Sequence, residues 1–424
     1  MNAARMEVVS FHRADSPIGT KTGASHAVAN TDRIIKTFEF KLRVNKNFVT
    51  ACERVLKSAR DLYNAALDQR LNWYHHTFSK SINYYEQSRQ LTEARELPEV
   101  GSCLRNIQQD ALEKLDLAFK AFFRRVKQGE TPGFPRFKGA DRYHTFSQKI
   151  EKVRGSPLKG DKLTVPGVGS CRVRLSRPIE GTVKQLRITR RADGWFVLLV
   201  CEMPQPEALP ATGESVGIDV GLENFATLST GEVIENPRHL RKAERRLVRA
   251  QRKVSRRKKR SHRRKKAVRL LQKQHLTVSR QRKDFHHQTA NPIIKDFDEI
   301  AVEDLRIKNL IRNPHLAKSI SDAGWGSFLS ILTSKAENAG RRVERVNPAF
   351  SSQDCSQCGE RVRKSLAVRQ HVCLVCGFVA SRDHNAAINL KNRRAGGSGM
   401  GTVRLPDEPR TGRRRRKSLQ ARSL

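Results

Sequence analysis

The 424-residue chain is predicted to be a multidomain α/β protein, on three observations. Period-2 alternation of apolar residues marks strands in both halves. A long stretch of helical periodicity separates the first strand from the next. Two Cys-x2-Cys pairs stand near the end of the second half. Hydrophobic residues make up 37% of the chain, enough for folded cores.

Charge narrows the function classes. Lys and Arg number 83 against 42 Asp and Glu, a formal net charge of +41. Self-repulsion on that scale disfavours a compact chain unless a polyanion neutralises it, so nucleic acid is the expected partner. No apolar run approaches the ~18 residues of a membrane span and no secretory signal is read, so a membrane role is set aside. Cys52, Cys103, Cys171 and Cys201 fall singly in apolar patterns and read as small core residues. Without a disulfide framework, a reducing, cytoplasmic setting is expected.

From Lys36 to Arg43 the chain alternates, with Phe38, Phe40 and Leu42 on one face, as in a half-buried strand. Asn47 is the expected cap of a helix with the stripe Phe48, Cys52, Val55, Leu56, Ala59, Leu62, Tyr63 and Ala66. Another helical stretch carries Leu104, Ile107, Ala111, Leu115, Ala118, Phe119 and Phe122. Pro132 to Lys138 breaks the helices, and strands follow at 163–165, 171–175, 183–190 and 195–202. The last two flank Ala192-Asp193-Gly194, a hairpin turn. One strand before the helices and several after them predict an N-terminal β-barrel carrying an inserted helical domain. A linker around 204–213 closes this half.

The second half begins with strands at 215–220, 225–228 and 232–235, followed by long helices and a strand at 299–303. A helix over about 326–339, a strand at 342–346 and a last helix near Asp383 complete it. Three hairpin-linked strands followed by α-β-α-β-α is the ribonuclease H-like order. In that order acids sit on the first strand, at the end of the fourth and at the final helix. Asp219, Glu303 and Asp383 occupy those places.

Asp219 lies between Ile218 and Val220, flanked by Gly217 and Gly221, which clear space for a backbone or a substrate. Glu303 ends an apolar strand beside Asp304. Alternation puts Asp304 with Ile300 and Val302 and Glu303 with Ala301, so the pattern leaves both open. Three converging acids can hold two Mg²⁺ or Mn²⁺ ions roughly 3.5–4 Å apart for in-line phosphodiester hydrolysis.

Residues 238–283 hold 22 Lys and Arg, with Glu244 as the only carboxylate. A solvated helix face mixes signs for support. This one is expected to track phosphates, as a helical hairpin on the stripe Leu240, Leu247, Val248, Val268 and Leu271. Cys355-x2-Cys358 and Cys373-x2-Cys376 are separated by 14 residues, and Gly359 and Gly377 follow each pair. Four thiolates so spaced predict a closed structural Zn²⁺ site that fixes the excursion leading to Asp383. His371 is a spare candidate that the site does not need.

GIDVGLENFATLSTGEV, IAVEDLRIKNL, LAKSISDAGWGSFLSIL, SSQDCSQCG and CLVCGFVASRDHNAAINL resemble, in order, the RuvC-like blocks and zinc element of the TnpB (OrfB) proteins of bacterial insertion sequences. Those are similar to the ancestors of type V CRISPR effectors. The likeness is densest over 214–392 and extends more weakly upstream through PGFPRFKG.

The resemblance implies an RNA-guided, metal-dependent DNA endonuclease of a transposable element. Its guide RNA derives from the element's own end, and its target is double-stranded DNA beside a short motif. It opens the duplex, forms an RNA–DNA heteroduplex and cuts at a single RuvC-like site. The family's catalytic Asp, Glu and Asp fall on Asp219, Glu303 and Asp383, which favours Glu303 over Asp304. Its zinc ligands fall on Cys355, Cys358, Cys373 and Cys376. With all three acids present, an active enzyme is expected rather than a nuclease-inactive RNA-guided regulator. A strand-transferring transposase is the other alternative.

The implied division is as follows. Residues 1–32 are a disordered N-terminus, 33–46 and 131–212 a wedge-like β-barrel, and 47–130 a helical recognition domain. Residues 213–349 and 379–395 form the RuvC-like nuclease domain, with basic helices at 236–290. A zinc ribbon at 350–378 and a basic disordered tail at 396–424 complete it. Base pairing to a guide accounts for the charge, since a heteroduplex is held by its backbone. Trp73, Tyr74, Tyr84 and Tyr85 read as core residues, with stacking of displaced strand the alternative role. The expected particle is a monomeric ribonucleoprotein in the cytoplasm, associated with the bacterial nucleoid.

Overall fold

A computed structural model of the chain describes residues 33–76, 82–96, 104–150, 156–365 and 367–394. The ends expected to be disordered, 1–32 and 396–424, lie outside the described residues, as does Cys103. Two sheets organise the rest, one in each half.

The first sheet takes strands β1 (Arg33–Arg43), β2 (Thr145–Lys149), β3 (Leu158–Lys159), β4 (Lys162–Val165), β5 (Gly169–Arg174), β6 (Thr182–Arg191) and β7 (Gly194–Pro204). Their order is β2-β6-β7-β1-β5-β4-β3, with every ladder antiparallel. The alternation expected of β1 is observed, with Phe38, Phe40 and Leu42 buried. No ladder among the described residues joins β2 to β3. The Gln148 side chain of β2 donates to the Pro166 carbonyl beyond β4 (3.0 Å), which draws those edges together.

Helices α1 (Lys46–His76), α2 (Tyr84–Ala94) and α3 (Arg105–Lys127) lie between β1 and β2. Asn45, not Asn47, caps α1: the Phe48 N–H donates to Asn45 Oδ1 at 2.8 Å. Cap identity depends on which residue leaves the helical backbone, and the stripe alone does not show that. Phe48, Cys52, Leu56, Ala59 and Tyr63 of α1 and Ile107, Ala111 and Leu115 of α3 pack in one continuous core with the strands. The helices therefore share the sheet's core. Buried Asp110 adds a polar tie, accepting from the Ser147 N–H of β2 (3.0 Å) and from Lys114 (2.7 Å).

The second sheet takes β8 (Ser215–Val220), β9 (Asn224–Leu228), β10 (Val233–Glu235), β11 (Glu299–Glu303) and β12 (Arg342–Val346), in the order β10-β9-β8-β11-β12. β8, β9 and β10 are antiparallel neighbours, whereas β11 runs parallel to both β8 and β12. Helices α4 (His239–Ser255) and α5 (His262–Asp296) precede β11. After it come α6 (Ile307–Leu310), α7 (Pro314–Ala323) and α8 (Trp325–Asn338). The last described elements are the two-stranded β13 (Gln370–Val372) and β14 (Val379–Ser381), then α9 (Arg382–Asn392).

Two features of this half were not expected. Gly324, at φ 68°, breaks what would be one helix into α7 and α8. In the basic hairpin, whose two helices pack on each other, Leu247, Ala250 and Val254 of α4 and Ala267 of α5 are buried, while Val248 is exposed. Spacing of three and four residues, not adjacency, sets the buried stripe. The linker between the halves is held by buried Arg341, which donates to the Asp298 carboxylate and to the Pro210 carbonyl (2.9 Å). Among the described residues no helix is long and apolar enough to cross a membrane.

Candidate active site and metal centre

Parallel pairing puts Ile218 of β8 beside Val302 of β11, so Asp219 and Glu303 are the next residues along neighbouring strands. Asp383 stands in the first turn of α9, which packs across β8. That packing is very close. A Cβ on Gly217 would lie 2.0 Å from the Ala387 carbonyl oxygen and 2.7 Å from the Lys391 nitrogen. The space Gly217 clears is therefore taken by the backbone of the helix that carries Asp383.

Electrostatics show that the three acids share one environment. Burial pushes the Asp219 carboxyl well above the ordinary carboxylate range, and the charges of Glu303 and Asp383 add to the rise. Burial likewise pushes Glu303 up to about 7, against the lowering effect of the Ser351 hydroxyl, which donates to it at 3.4 Å. Arg382 opposes the rise at Asp219 and pairs with Asp383 at 3.1 Å. Asp304 points elsewhere: its side chain is 61% exposed and pairs with Arg345. Geometry thus separates two neighbours that alternation could not.

Half-buried carboxylates gathered at one place form a site for positive charge. Their hard oxygen donors match Mg²⁺ or Mn²⁺. They do not close up as a compact single-ion cage. Among the described residues, only the four cysteines offer a set of ligand atoms that all lie within 4.8 Å of one another.

In that set the Cys355 and Cys376 sulfurs are 3.6 Å apart, as are those of Cys358 and Cys373. Tetrahedral thiolates about 2.3 Å from an ion stand about 3.8 Å from each other, so the cluster can hold a structural metal. Its two halves are built alike. The Gly359 N–H donates to the Cys355 carbonyl and the Gly377 N–H to the Cys373 carbonyl, each at 2.9 Å. Both glycines sit at positive φ, 81° and 74°, where a side chain would be strained. Buried His371 is not among the ligands; its Nδ1 faces Lys364.

Asparagines tie this element to the acids, a link not read from the sequence. Asn385 and Asn389 of α9, both buried, donate to the Asp354 carbonyl at 2.8 and 2.6 Å. Asn389 also donates to the Ser351 carbonyl (2.8 Å), and Asn385 accepts from the Ser356 N–H (3.0 Å). The cysteine loop, the Ser351 contact to Glu303 and the helix of Asp383 are thereby one hydrogen-bonded unit. Asn385 stood in the motif RDHNAA, but nothing local distinguishes a clamp from a helix surface residue.

Of the 22 cations in 238–283, all but Arg264 and Arg282 are exposed. The aromatics suggested for stacking, Trp73, Tyr74 and Tyr85, are exposed as well, with Tyr84 edge-on to Tyr85.

Known proteins resemble the chain over most of its length. A family model, OrfB_IS605, described as a probable transposase, matches residues 198–314, and a Cas12f1-like TNB domain model matches 325–390. A protein of Streptomyces pristinaespiralis named "Putative RNA-guided DNA endonuclease" is 33% identical over 392 residues, covering 90% of this chain and 95% of its own. The Escherichia coli protein named "Putative RNA-guided DNA endonuclease InsQ" is 28% identical over 378 residues, or 84% and 91% of the two chains. The Cas12f1 endodeoxyribonuclease of Sulfoacidibacillus thermotolerans is 40% identical over 58 residues, 13% of this chain and 14% of its own.

Proposed function

Because the chain belongs to the OrfB (TnpB) family of RNA-guided DNA endonucleases, we propose that it cuts guided target DNA with Asp219, Glu303 and Asp383 as its metal-binding catalytic acids. The single observation carrying this assignment is that Asp219 and Glu303, next along neighbouring strands, both feel the charge of Asp383 from the first turn of α9, although the three are distant in sequence. The strand order β10-β9-β8-β11-β12 supports a ribonuclease H-like (RuvC) reading of the nuclease half. The first sheet, with the edges that meet at Gln148, supports a wedge-like barrel, and the helices packed on it a recognition module.

Mg²⁺ or Mn²⁺ bound to the three acids supplies an activated water and charge neutralisation at the leaving oxygen. The chain's own groups prepare that site. Glu303 must lose its proton to bind a cation, and the Ser351 hydroxyl favours the ionised form. Arg382 holds Asp383 in place. Exposed cations on α4 and α5 suit the phosphate backbone of a guide–target duplex, whose sequence is read by base pairing. The particle is read as a monomeric ribonucleoprotein in the bacterial cytoplasm.

Purified protein is expected to carry a uniform RNA ending in a spacer-like segment, and to break DNA matching that spacer when Mg²⁺ is added. Random cellular RNA would defeat the guided reading, and joined element–target products would point to strand transfer instead.

Zn²⁺ is the ion that four thiolates at this spacing favour. One zinc per chain is expected by elemental analysis. In the Cys373→Ser protein, zinc content and cutting are expected to fall together while RNA stays bound, because the cysteine loop anchors α9. Full cutting by zinc-free protein would show that the asparagine clamp suffices without the metal.

A further inference from the structure

A cavity of about 620 Å³ is lined by Phe350, Gln353, Arg361, Arg363, Lys364 and Ser365. All its charged lining residues are cations. Phe350 holds an uncommon backbone conformation for a bulky residue, φ 61°, and is 49% exposed. A phenylalanine that is both strained and exposed is not there to fill a core, and such strain persists only where surroundings impose it. Here they do. The Gln353 and Asp354 N–H groups donate to the Phe350 carbonyl at 2.9 Å, and the α9 asparagines grip the carbonyls of Ser351 and Asp354.

The guanidinium of Arg361 lies over the Phe350 ring, 3.7 Å from its centroid, and is itself held by Asp354 at 2.9 Å. Ring and guanidinium thus form one fixed platform. It adjoins the acids on two sides. Ser351, the next residue, donates to Glu303, and Lys364 lies close enough to Arg382, the partner of Asp383, to feel its charge.

We propose that Phe350 and Arg361 stack a base of the strand being cut, while Arg363 and Lys364 hold its neighbouring phosphate. The ligand class is single-stranded DNA, since a base in a duplex has no free face. Stacking on an aromatic platform tolerates any base, which suits an enzyme whose sequence reading is done by a guide. The subsite rests on the nuclease reading above and adds how the strand is seated.

The test uses the intact ribonucleoprotein in two assays. One is single-turnover cutting of a guided target. The other is quenching of 2-aminopurine in a short single-stranded DNA, measured on the Asp219→Ala background so that nothing is cut. Phe350→Ala and Phe350→Leu are both expected to lose about 5- to 100-fold in cutting and to lose the quenching, with Phe350→Trp rescuing both. Phe350→Gly, which relieves the left-handed strain, is expected to melt at a higher temperature yet cut as poorly as Phe350→Ala. Arg363→Gln is expected to lower the salt slope of oligonucleotide binding by about one.

Wild-type cutting and quenching in Phe350→Leu would overturn the proposal, since an apolar packing role survives that change and a stack does not. If the wild type cuts nothing, the nuclease reading fails, while the quenching series still judges the platform.

Discussion

Asp219→Ala is expected to lower magnesium-dependent cutting of a guided target at least about a thousandfold, with RNA and DNA binding kept at the wild-type level. Asp219 has two acidic neighbours and its removal leaves no nearby substitute, because Asp304 faces away toward Arg345. A variant that still cuts would remove these acids from the mechanism. Loss of RNA binding together with cutting would mean that the substitution had damaged the fold.

The same substitution is expected to act oppositely on stability without metal. A carboxyl raised in the folded state binds protons more tightly there than in the unfolded chain. Its contribution is therefore favourable at low pH and declines as pH rises toward the folded value. For Glu303 the window runs from its ordinary value of 4.5 to about 7. Metal-free protein should lose melting temperature across that range, less so in Glu303→Gln. Mg²⁺ competes with those protons and restores the loss by mass action. The acid limb of the cutting rate, near 7 at low Mg²⁺, should move to lower pH as Mg²⁺ increases. A limb indifferent to Mg²⁺ would mean that Glu303 binds no cation.

Gly217→Ala is the second large effect. The added carbon would sit 2.0 Å from the Ala387 carbonyl oxygen, which is helix backbone and cannot swing aside as a side chain can. Overpacking costs about 1–3 kcal/mol where neighbours adjust, and this contact is at or beyond the upper end. Whatever relief occurs must shift α9, and with it Asp383, Asn385 and Asn389. The expected result is a melting temperature lowered by several degrees and cutting lost even where the protein still folds. Gly326→Ala is the control. Its carbon would meet only Ile307, at 3.4 Å, within a helix that alanine favours by about 1 kcal/mol. Equal behaviour of the two variants would show that α9 does not depend on close approach to β8.

Much of the architecture was legible because it follows from short-range pattern. Alternation in Phe38-Glu39-Phe40-Lys41-Leu42 and the hairpin turn at Asp193-Gly194 state their own geometry. So do the apolar strands at 215–220 and 299–303 and the paired Cys-x2-Cys spacing. Charge, too, is a sum over the chain that needs no fold. The choice of Asn45 over Asn47 as a cap, and of Leu247 over Val248 as a buried residue, were finer matters that local pattern blurred.

What belonged to the sequence alone, then, was the succession of elements, the polyanion-seeking charge, the thiolate set and the three acids with their family likeness. Tertiary structure alone decided which way Glu303 and Asp304 face, what fills the space over Gly217, and that two asparagines bind the cysteine loop to the helix of Asp383. The physical reason is range. Periodicity is a property of neighbours along the chain, whereas orientation at a strand end and backbone contact across a sheet are made by residues tens to more than a hundred positions away.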